Sequence, residues 1–255
     1  MFLGCDIGTG YSKGVLLDQD GRIIASCIFP TKADPRSASK AIIDELTKKA
    51  GIREDQIKAC GAVGWGRAYV PIEHKELSLI NCIARGINFL SPSCRTVIDM
   101  GSQHSMVILI DDKGNVIEFR QNDKCAAGCG RFIEVITEAL QVPLDKVSET
   151  ALSAKEKVNI TSQCAVFAES EVIAHVNDGK PVEAIVAGIM DSLGRSISSI
   201  AKRLLIQEDV FASGGMAKNR ALLNVIEEHI EKKVFVPDID PQFVGAIGAA
   251  LSVKN

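Results

Sequence analysis

Two short stretches of the sequence combine an acidic residue with glycine at the spacing of a phosphate-binding turn. The first is DIGTGYSK, residues 6–13, and the second is DMGSQ, residues 99–103. Glycine lets a backbone approach a phosphate closely, and the amide groups of such a turn can donate to phosphate oxygens. Asp6 and Asp99 supply carboxylates of the kind that hold hydrated Mg²⁺ and orient an attacking water. The pattern therefore indicates chemistry on a phosphate group.

A third stretch, SGGMAKN at residues 213–219, follows a predicted buried strand and opens a predicted helix. That placement suits nucleotide contact at a helix N-terminus, where backbone N–H groups have no partner within the helix. A single DxG stretch is often only a hairpin turn. Two copies in register, together with a strand–glycine–helix unit, favour a nucleotide site.

The two acidic motifs belong to an internal repeat. Residues 6–27 align with residues 99–120 without a gap, at a constant offset of 93. Each copy predicts three strands joined by turns, with DQDG and DDKGN as the second turns. The matched pairs are Asp6 with Asp99, Gly8 with Gly101, Ser12 with Ser105, Asp18 with Asp111, and Gly21 with Gly114.

The remaining elements complete two related α/β halves. Helical spacing predicts a helix before Gly51, capped by serine, and a further strand follows in IKACGAVGW. After the second copy, the pattern predicts helices over 131–140 and 183–205, a strand ending in SGG, a helix, a short strand and a closing helix over 242–253. We expect domains at 1–92 and 93–255, with the closing helix able to pack back on the first.

Composition excludes several classes of protein. The 255 residues carry a formal net charge of -3, which argues against a nucleic-acid binder. No run of 18 or more apolar residues is present, and the N-terminus lacks the pattern of a signal peptide. We therefore expect a cytoplasmic protein without a membrane span.

The chain contains eight cysteines, which is many for a cytoplasmic protein. Five of them lie in or beside apolar stretches and are expected to be small buried hydrophobes: Cys5, Cys27, Cys60, Cys82 and Cys94. Cys125 and Cys164 each lie just before a predicted helix, where the helix dipole would stabilise a thiolate or an anionic iron–sulfur cluster. Because a cluster of this kind takes four thiolates, a homodimer would have to share it. The alternative is two capped helices that happen to begin near cysteine.

The phosphate motifs resemble those of the acetate and sugar kinase/Hsp70/actin superfamily. DIGTGYSK is similar to its first phosphate loop, DMGSQ to its second and FASGGMAKN to its adenosine motif. The resemblance implies two ribonuclease-H-like domains, each a mixed sheet flanked by helices, with ATP or ADP in the cleft between them. Asp6 and Asp99 are then expected to face each other across that cleft.

The cysteine segments resemble a narrower family. NDKCAAGxGRF and CxVFAESEVI are similar to the signature of the ATP-dependent activators of 2-hydroxyacyl-CoA dehydratases, in the BadF/BadG/BcrA/BcrD ATPase family. The resemblance implies a [4Fe-4S] cluster shared across a homodimer through Cys125 and Cys164. It also implies delivery of a low-potential electron, driven by ATP hydrolysis with Mg²⁺, to a partner iron–sulfur dehydratase or reductase. Ferredoxin or flavodoxin would be the electron donor.

The motifs and the resemblance together predict the site residues. The predicted catalytic residues are Asp6, Asp99 and Gln103. The predicted cluster ligands are Cys125 and Cys164. The predicted nucleotide contacts are Gly8, Thr9, Gly10, Ser12, Lys13, Gly101, Ser102, Gly214, Gly215 and Asn219, although Lys13 also fits a solvent-facing position.

Some residues depart from the family pattern. The second phosphate loop of the family usually reads DIGGQDxK, whereas this chain has Ser102, His104 and Met106 at three of its positions. Cys129 replaces a usual threonine. Because of the altered loop, one alternative function is a nucleotide-binding partner subunit that does not hydrolyse ATP. A sugar or amino-sugar kinase of the same superfamily is the other alternative.

Overall fold

The computed structural model describes residues 1–122, 130–161 and 165–254. Within this part of the chain, contacts between Cα atoms define two compact units. The first unit contains Met1–Val97, Ile108–Glu118 and Pro237–Asn255, and the second contains Ile98–Val107 and Phe119–Val236. The division near residue 92 stays a prediction.

The first sheet has five strands in the order β3-β2-β1-β4-β5. β1 pairs antiparallel with β2 and parallel with β4, and β2 pairs antiparallel with β3. The strands are β1 (Phe2–Ile7), β2 (Tyr11–Leu17), β3 (Ile23–Pro30), β4 (Ala59–Val63) and β5 (Lys75–Glu76).

The second sheet repeats this order as β8-β7-β6-β9-β10. Its strands are β6 (Thr96–Met100), β7 (Ser105–Ile110), β8 (Val116–Gln121), β9 (Val210–Ser213) and β10 (Val234–Phe235). Every residue of β6 and β7 is buried. The predicted α/β fold with two related mixed sheets is confirmed.

The hairpin turns of the two copies are alike in detail. The side chain of Asp18 accepts the N–H groups of Asp20 and Arg22, and that of Asp111 accepts those of Lys113 and Asn115. An aspartate that accepts backbone N–H groups two and four residues ahead closes a tight turn on itself. The two copies of the repeat therefore share the same hydrogen bonds in this turn.

Eight α-helices are described. They are α1 (Pro35–Ala50), α2 (Leu79–Leu90), α3 (Gly130–Ala139), α4 (Val147–Ser153), α5 (Ala165–Asn177), α6 (Val182–Ala201), α7 (Arg220–Ile230) and α8 (Val244–Lys254). Among the described residues, none of these helices has the length and apolar character that a membrane crossing requires.

Two helix boundaries differ from the expectation. The N-cap of α1 is Asp34, whose carboxylate accepts the N–H groups of Arg36 and Ser37, and not a serine. Asp34 takes this place because Pro35 follows it and fits the first helical position. α6 ends at Ala201, and Leu205 beyond it is 88% exposed, so continuing the helix would bury little apolar surface there.

In the first unit, helices cover both faces of the sheet. A side chain at Gly14 would collide with Ile42 of α1, whereas one at Gly4 would collide with the backbone of α8. Gly14 lies opposite Cys5 in the ladder, and consecutive residues of a strand point to opposite faces. The small residues thus let α1 and α8 approach opposite faces of the strands that carry the first phosphate loop.

Five cysteines are buried as expected: Cys5, Cys27, Cys60, Cys82 and Cys94. Burial raises the pKa of the Cys27 and Cys82 thiols to about 11. The pKa of Cys5 is raised above its usual range by a hydrogen bond with Cys60 and by burial. These thiols are therefore held in the neutral form.

We expect all five buried thiols to resist alkylation in the folded protein, because the thiolate is the reactive species. Iodoacetamide labelling at about pH 8, followed by peptide mass spectrometry, measures the modification of each cysteine separately. The same protein unfolded in guanidinium is the control, and all eight cysteines should react there. Rapid labelling of Cys27 or Cys82 in the folded protein would contradict the packing described.

Candidate functional site

The first phosphate loop is a tight turn between β1 and β2. The N–H of Gly8 donates to the carbonyl of Tyr11 at 3.2 Å and closes the turn. Asp6 lies at the end of β1 and is 7% exposed. Lys13, opposite Asp6 in the ladder, places its Nζ 2.9 Å from Asp6 Oδ2. The side chain of Lys13 is only 15% exposed, so its ammonium is directed to the carboxylate and not to solvent.

Thr31 supports this turn from the end of β3. Its hydroxyl donates to the carbonyl of Gly8 at 2.7 Å, and its N–H donates to the carbonyl of Gly10 at 2.9 Å. Ser12 is fully buried, with its hydroxyl 2.8 Å from that of Thr31. The predicted contact residue Ser12 therefore lies beneath the turn, where it holds the loop in shape. Thr9 and Gly10 lie partly exposed on the turn itself.

The second phosphate loop repeats the turn in the second unit. The N–H of Gly101 donates to the carbonyl of His104 at 2.8 Å, as Gly8 does to Tyr11. Asp99, at the end of β6, is 5% exposed and accepts a hydrogen bond from the Ser213 hydroxyl at 2.6 Å. His104 Nε2 lies 2.8 Å from the other oxygen of Asp99. Ser102 is partly exposed on this turn, and Gln103 is exposed at its tip.

A buried carboxylate needs such partners, because burying an unpaired charge is costly. When Asp99 is ionised, its carboxylate only accepts hydrogen bonds, and Nε2 of His104 is then the donor in this contact. Asp99 is thus oriented from both sides, through Ser213 on β9 and His104 in the loop.

One glycine in each unit packs directly against the residue that follows the aspartate. Gly64 follows β4 with φ +89°, and a side chain there would lie 2.5 Å from the carbonyl oxygen of Ile7. Gly214 follows β9 with φ +83°, and a side chain there would collide with the carbonyl of Met100. Ile7 and Met100 are equivalent in the repeat. Only glycine combines this dihedral angle with this approach.

Asn219 caps the helix that follows the glycines. Its Oδ1 accepts the N–H of Leu222, and its Nδ2 lies 3.2 Å from the sulfur of Met190 on α6. Gly215 is exposed at the start of this segment. The predicted adenosine motif therefore links β9, α7 and α6 within the second unit.

The second phosphate loop and Ser105, the first residue of β7 after it, are bonded to the residues on either side of 123–129. Asn122 and Ser105 exchange two hydrogen bonds, one of 2.9 Å to the Asn122 side chain and one of 2.9 Å from its N–H. The N–H of Gly130 donates to the carbonyl of Gly101 at 3.0 Å, and the N–H of Arg131 donates to that of Ser102 at 2.9 Å. Both flanks of this segment therefore rest on residues 101–105.

The residues before 162–164 are held in a similar way. The Glu171 carboxylate of α5 accepts the N–H of Thr161 at 3.0 Å and its hydroxyl at 3.1 Å. Arg195 of α6 donates to the carbonyl of Ile160 at 3.3 Å. Asp191 of α6 is ion-paired with Lys157 and Arg195. Residues 157–161 are thus fastened to two helices of the second unit.

The predicted cluster ligands Cys125 and Cys164 lie outside the described residues, as does Cys129. Among residues 1–122, 130–161 and 165–254, no three histidine, cysteine or acidic side chains form a metal-binding group. Magnesium in phosphoryl-transfer sites needs only one or two carboxylates, with water and phosphate completing its shell. The surroundings of Asp6 and Asp99 are compatible with such a role.

The structure adds Thr31 and Gly64 to the site, and it adds the bond from Ser213 to Asp99, none of which the sequence predicted. Thr31 lies 23 residues from Gly8 and Ser213 lies 114 residues from Asp99, so no local pattern connects them. Gly64 had a signal, because VGWG after β4 parallels SGGM after β9. β4 and β9 take matching positions beside the central strands β1 and β6, so Gly64 is the counterpart of Gly214.

Comparison with known proteins agrees with this architecture. The model of the BadF/BadG/BcrA/BcrD ATPase family matches residues 3–253. A 2-hydroxyisocaproyl-CoA dehydratase activator of Clostridioides difficile is 38% identical over 98% of this chain and 93% of its own length. The (R)-2-hydroxyglutaryl-CoA dehydratase activating ATPase of Acidaminococcus fermentans is 34% identical over 98% of this chain and 95% of its own.

Similarity extends to a solved structure with bound nucleotide. The activator of the 2-hydroxyisocaproyl-CoA dehydratase from Clostridium difficile, with bound ADPNP, superimposes with a TM-score of 0.93 and 37% identity. The match covers 100% of this chain and 94% of that one.

We predict that Gly214→Ala destabilises the protein far more than Gly51→Ala. Gly51 also has a positive φ, but a side chain there would meet nothing within 4 Å. Gly51→Ala should therefore cost only about 1 kcal/mol of unfolding free energy. Gly214→Ala adds a collision with Met100 to strained dihedral angles and should cost about 3 kcal/mol or more.

Guanidinium unfolding of the two variants measures these free energies directly, with calorimetric titration of ADP as a second readout. Loss of ADP affinity should accompany Gly214→Ala alone. Equal destabilisation by the two substitutions would show that the approach of Gly214 to β6 is not a constraint.

Proposed function

Since the chain belongs to the BadF/BadG/BcrA/BcrD ATPase family, we propose that it is an ATP-dependent activator of a 2-hydroxyacyl-CoA dehydratase or a related iron–sulfur reductase. The observation that carries the proposal is the whole-length similarity to dehydratase activators, together with the repeated aspartate–glycine loops. The activator would deliver one low-potential electron to its partner for each cycle of ATP hydrolysis.

The nucleotide half of the proposal rests on the two phosphate loops. Gly8, Thr9 and Gly10 of the first loop, and Gly101 and Ser102 of the second, would present backbone N–H groups to phosphate oxygens. The ammonium of Lys13, beside Asp6, would neutralise negative charge on the phosphates. Gly214, Gly215 and Asn219 would contact the nucleoside. Ser12 would contribute by holding the first loop through Thr31.

Hydrolysis then needs an oriented water and a cation. Asp6 and Asp99 would hold hydrated Mg²⁺, which supplies charge neutralisation on the phosphates when it is bound. Gln103, exposed at the tip of the second loop, would orient the attacking water. The new bond would form between the water oxygen and the terminal phosphorus, and the bond from that phosphorus to the bridging oxygen would break. ADP and inorganic phosphate would leave, with the water protons shared between the released phosphate and solvent.

The electron-transfer half rests on Cys125 and Cys164. We propose that they bind a [4Fe-4S] cluster together with the same residues of a second subunit, so that the activator is a homodimer. Four thiolates would complete the ligand set. Ferredoxin or flavodoxin would reduce this cluster, and the partner dehydratase or reductase would accept the electron.

Coupling between ATP hydrolysis and electron transfer is supported by the hydrogen bonds around the second phosphate loop. Gly130, after Cys125, bonds to Gly101 of the loop that would meet the phosphates, and Asn122, before Cys125, bonds to Ser105, the first strand residue after that loop. A change in the loop on hydrolysis would therefore act on both ends of the segment that carries Cys125.

The proposed ATPase activity is tested with Asp99→Asn. This substitution keeps the size of the side chain but removes the charge that would hold Mg²⁺. The turnover number of ATP hydrolysis in anaerobically purified protein should fall at least about 100-fold. Asp111→Asn, at the equivalent of Asp18 in an exposed turn, is the matched control and should stay within about twofold. A wild-type protein that binds ADP but hydrolyses no ATP would instead be a nucleotide-binding partner subunit.

The proposed cluster is tested with Cys125→Ser and Cys164→Ser. Each substitution should abolish bound iron and acid-labile sulfide while leaving ADP binding intact, because serine is a poor cluster ligand. Cys27→Ala changes a buried cysteine and should keep the wild-type iron content. Iron and sulfide per dimer, measured in protein purified without air, decide the assignment. A full complement in either serine variant would overturn it.

A further inference from the structure

The two halves of the repeat give their aspartates different partners. Asp6 is paired with Lys13, seven residues later and directly opposite in the hairpin. The residue equivalent to Lys13 in the second copy is Met106, which is buried, 4% exposed, and carries no charge. Asp99 instead has His104, five residues later, within 2.8 Å.

The position of the His104 ring is defined by the turn. A side chain at Gly101 would lie 2.7 Å from the Cε1 atom and 2.9 Å from the Nε2 atom of His104, so the ring lies across the glycine. The His104 carbonyl accepts the Gly101 N–H at 2.8 Å, which holds the backbone of the same residue. The ring is 36% exposed and directs one nitrogen to a nearly buried carboxylate.

We infer that His104 is a positioning residue for Asp99, taking the place that Lys13 has beside Asp6. This inference rests on the proposed ATPase activity. A planar ring packed on Gly101 offers one donor in a defined direction, whereas an ammonium offers three rotating donors. Together with the Ser213 hydroxyl on the other oxygen, it fixes the plane of the Asp99 carboxylate, which would hold hydrated Mg²⁺.

The alternative is that His104 merely fills space above Gly101. His104→Ala removes both the hydrogen bond and the ring, whereas His104→Gln removes the ring but keeps an N–H donor of similar reach. If the hydrogen bond to Asp99 is what matters, glutamine should recover the function that alanine loses.

The test compares steady-state ATP hydrolysis by wild type, His104→Ala and His104→Gln. Loss of an outer-shell partner should lower kcat about 10-fold in His104→Ala, with KM for ATP within about twofold. His104→Gln should stay within about threefold of wild type in kcat. The control His229→Ala changes a histidine on α7 whose ring bonds within its own helix, and should keep the wild-type kcat.

Wild-type turnover by His104→Ala, or equal loss in His104→Gln and His104→Ala, would overturn the inference. A readout without turnover separates this result from a failure of the proposed function. The Mg²⁺ concentration that gives half-maximal ADP binding should rise about 10-fold in His104→Ala, even if wild type hydrolyses no ATP. An unchanged Mg²⁺ requirement in a variant with wild-type melting temperature would contradict a positioning role.

Discussion

A carboxylate at the end of a buried central strand must be satisfied by hydrogen bonds before it can serve chemistry. In this protein, Lys13 meets that requirement for Asp6, and Ser213 and His104 meet it for Asp99. The backbone around the two aspartates nevertheless follows one plan. Aspartate is the next-to-last residue of the central strand, a tight glycine turn follows, and the neighbouring strand brings a glycine against the residue after the aspartate. Because glycine has no side chain, the backbone N–H groups at these glycine positions stay accessible, and a phosphate can bind them. The same glycines thus permit both the close packing of the strands and the binding of phosphate.

Much of this plan is visible in the sequence because it is local. The three turn-linked strands of each half follow from the repeat, and the turn residues Asp18 and Asp111 act on N–H groups only two and four residues away. The burial of the five structural cysteines follows from the apolar residues beside them.

Residues that act over long separations could not be found in this way. Ser213 reaches Asp99 only because β9 lies beside β6, and Thr31 reaches Gly8 only because β3 ends beside the turn. The predicted serine cap of α1 was wrong for a different reason. Several residues near the start of this helix can act as caps, and the proline at the first helical position selects Asp34. His104 was noticed as a departure, but its bond to Asp99 depends on the fold of its own ring over Gly101.

The two phosphate turns differ in what they are attached to, and this difference assigns them different tasks. The carbonyl of Gly8 accepts a hydroxyl from Thr31, so the first turn is braced by the end of its own sheet. The equivalent carbonyl, that of Gly101, accepts the N–H of Gly130 at the start of α3. A turn braced within a sheet keeps its shape, whereas a turn bonded to a helix end passes any displacement to that helix. Under the proposed function, the first loop would therefore hold the nucleotide, and the second would transmit its state toward Cys125.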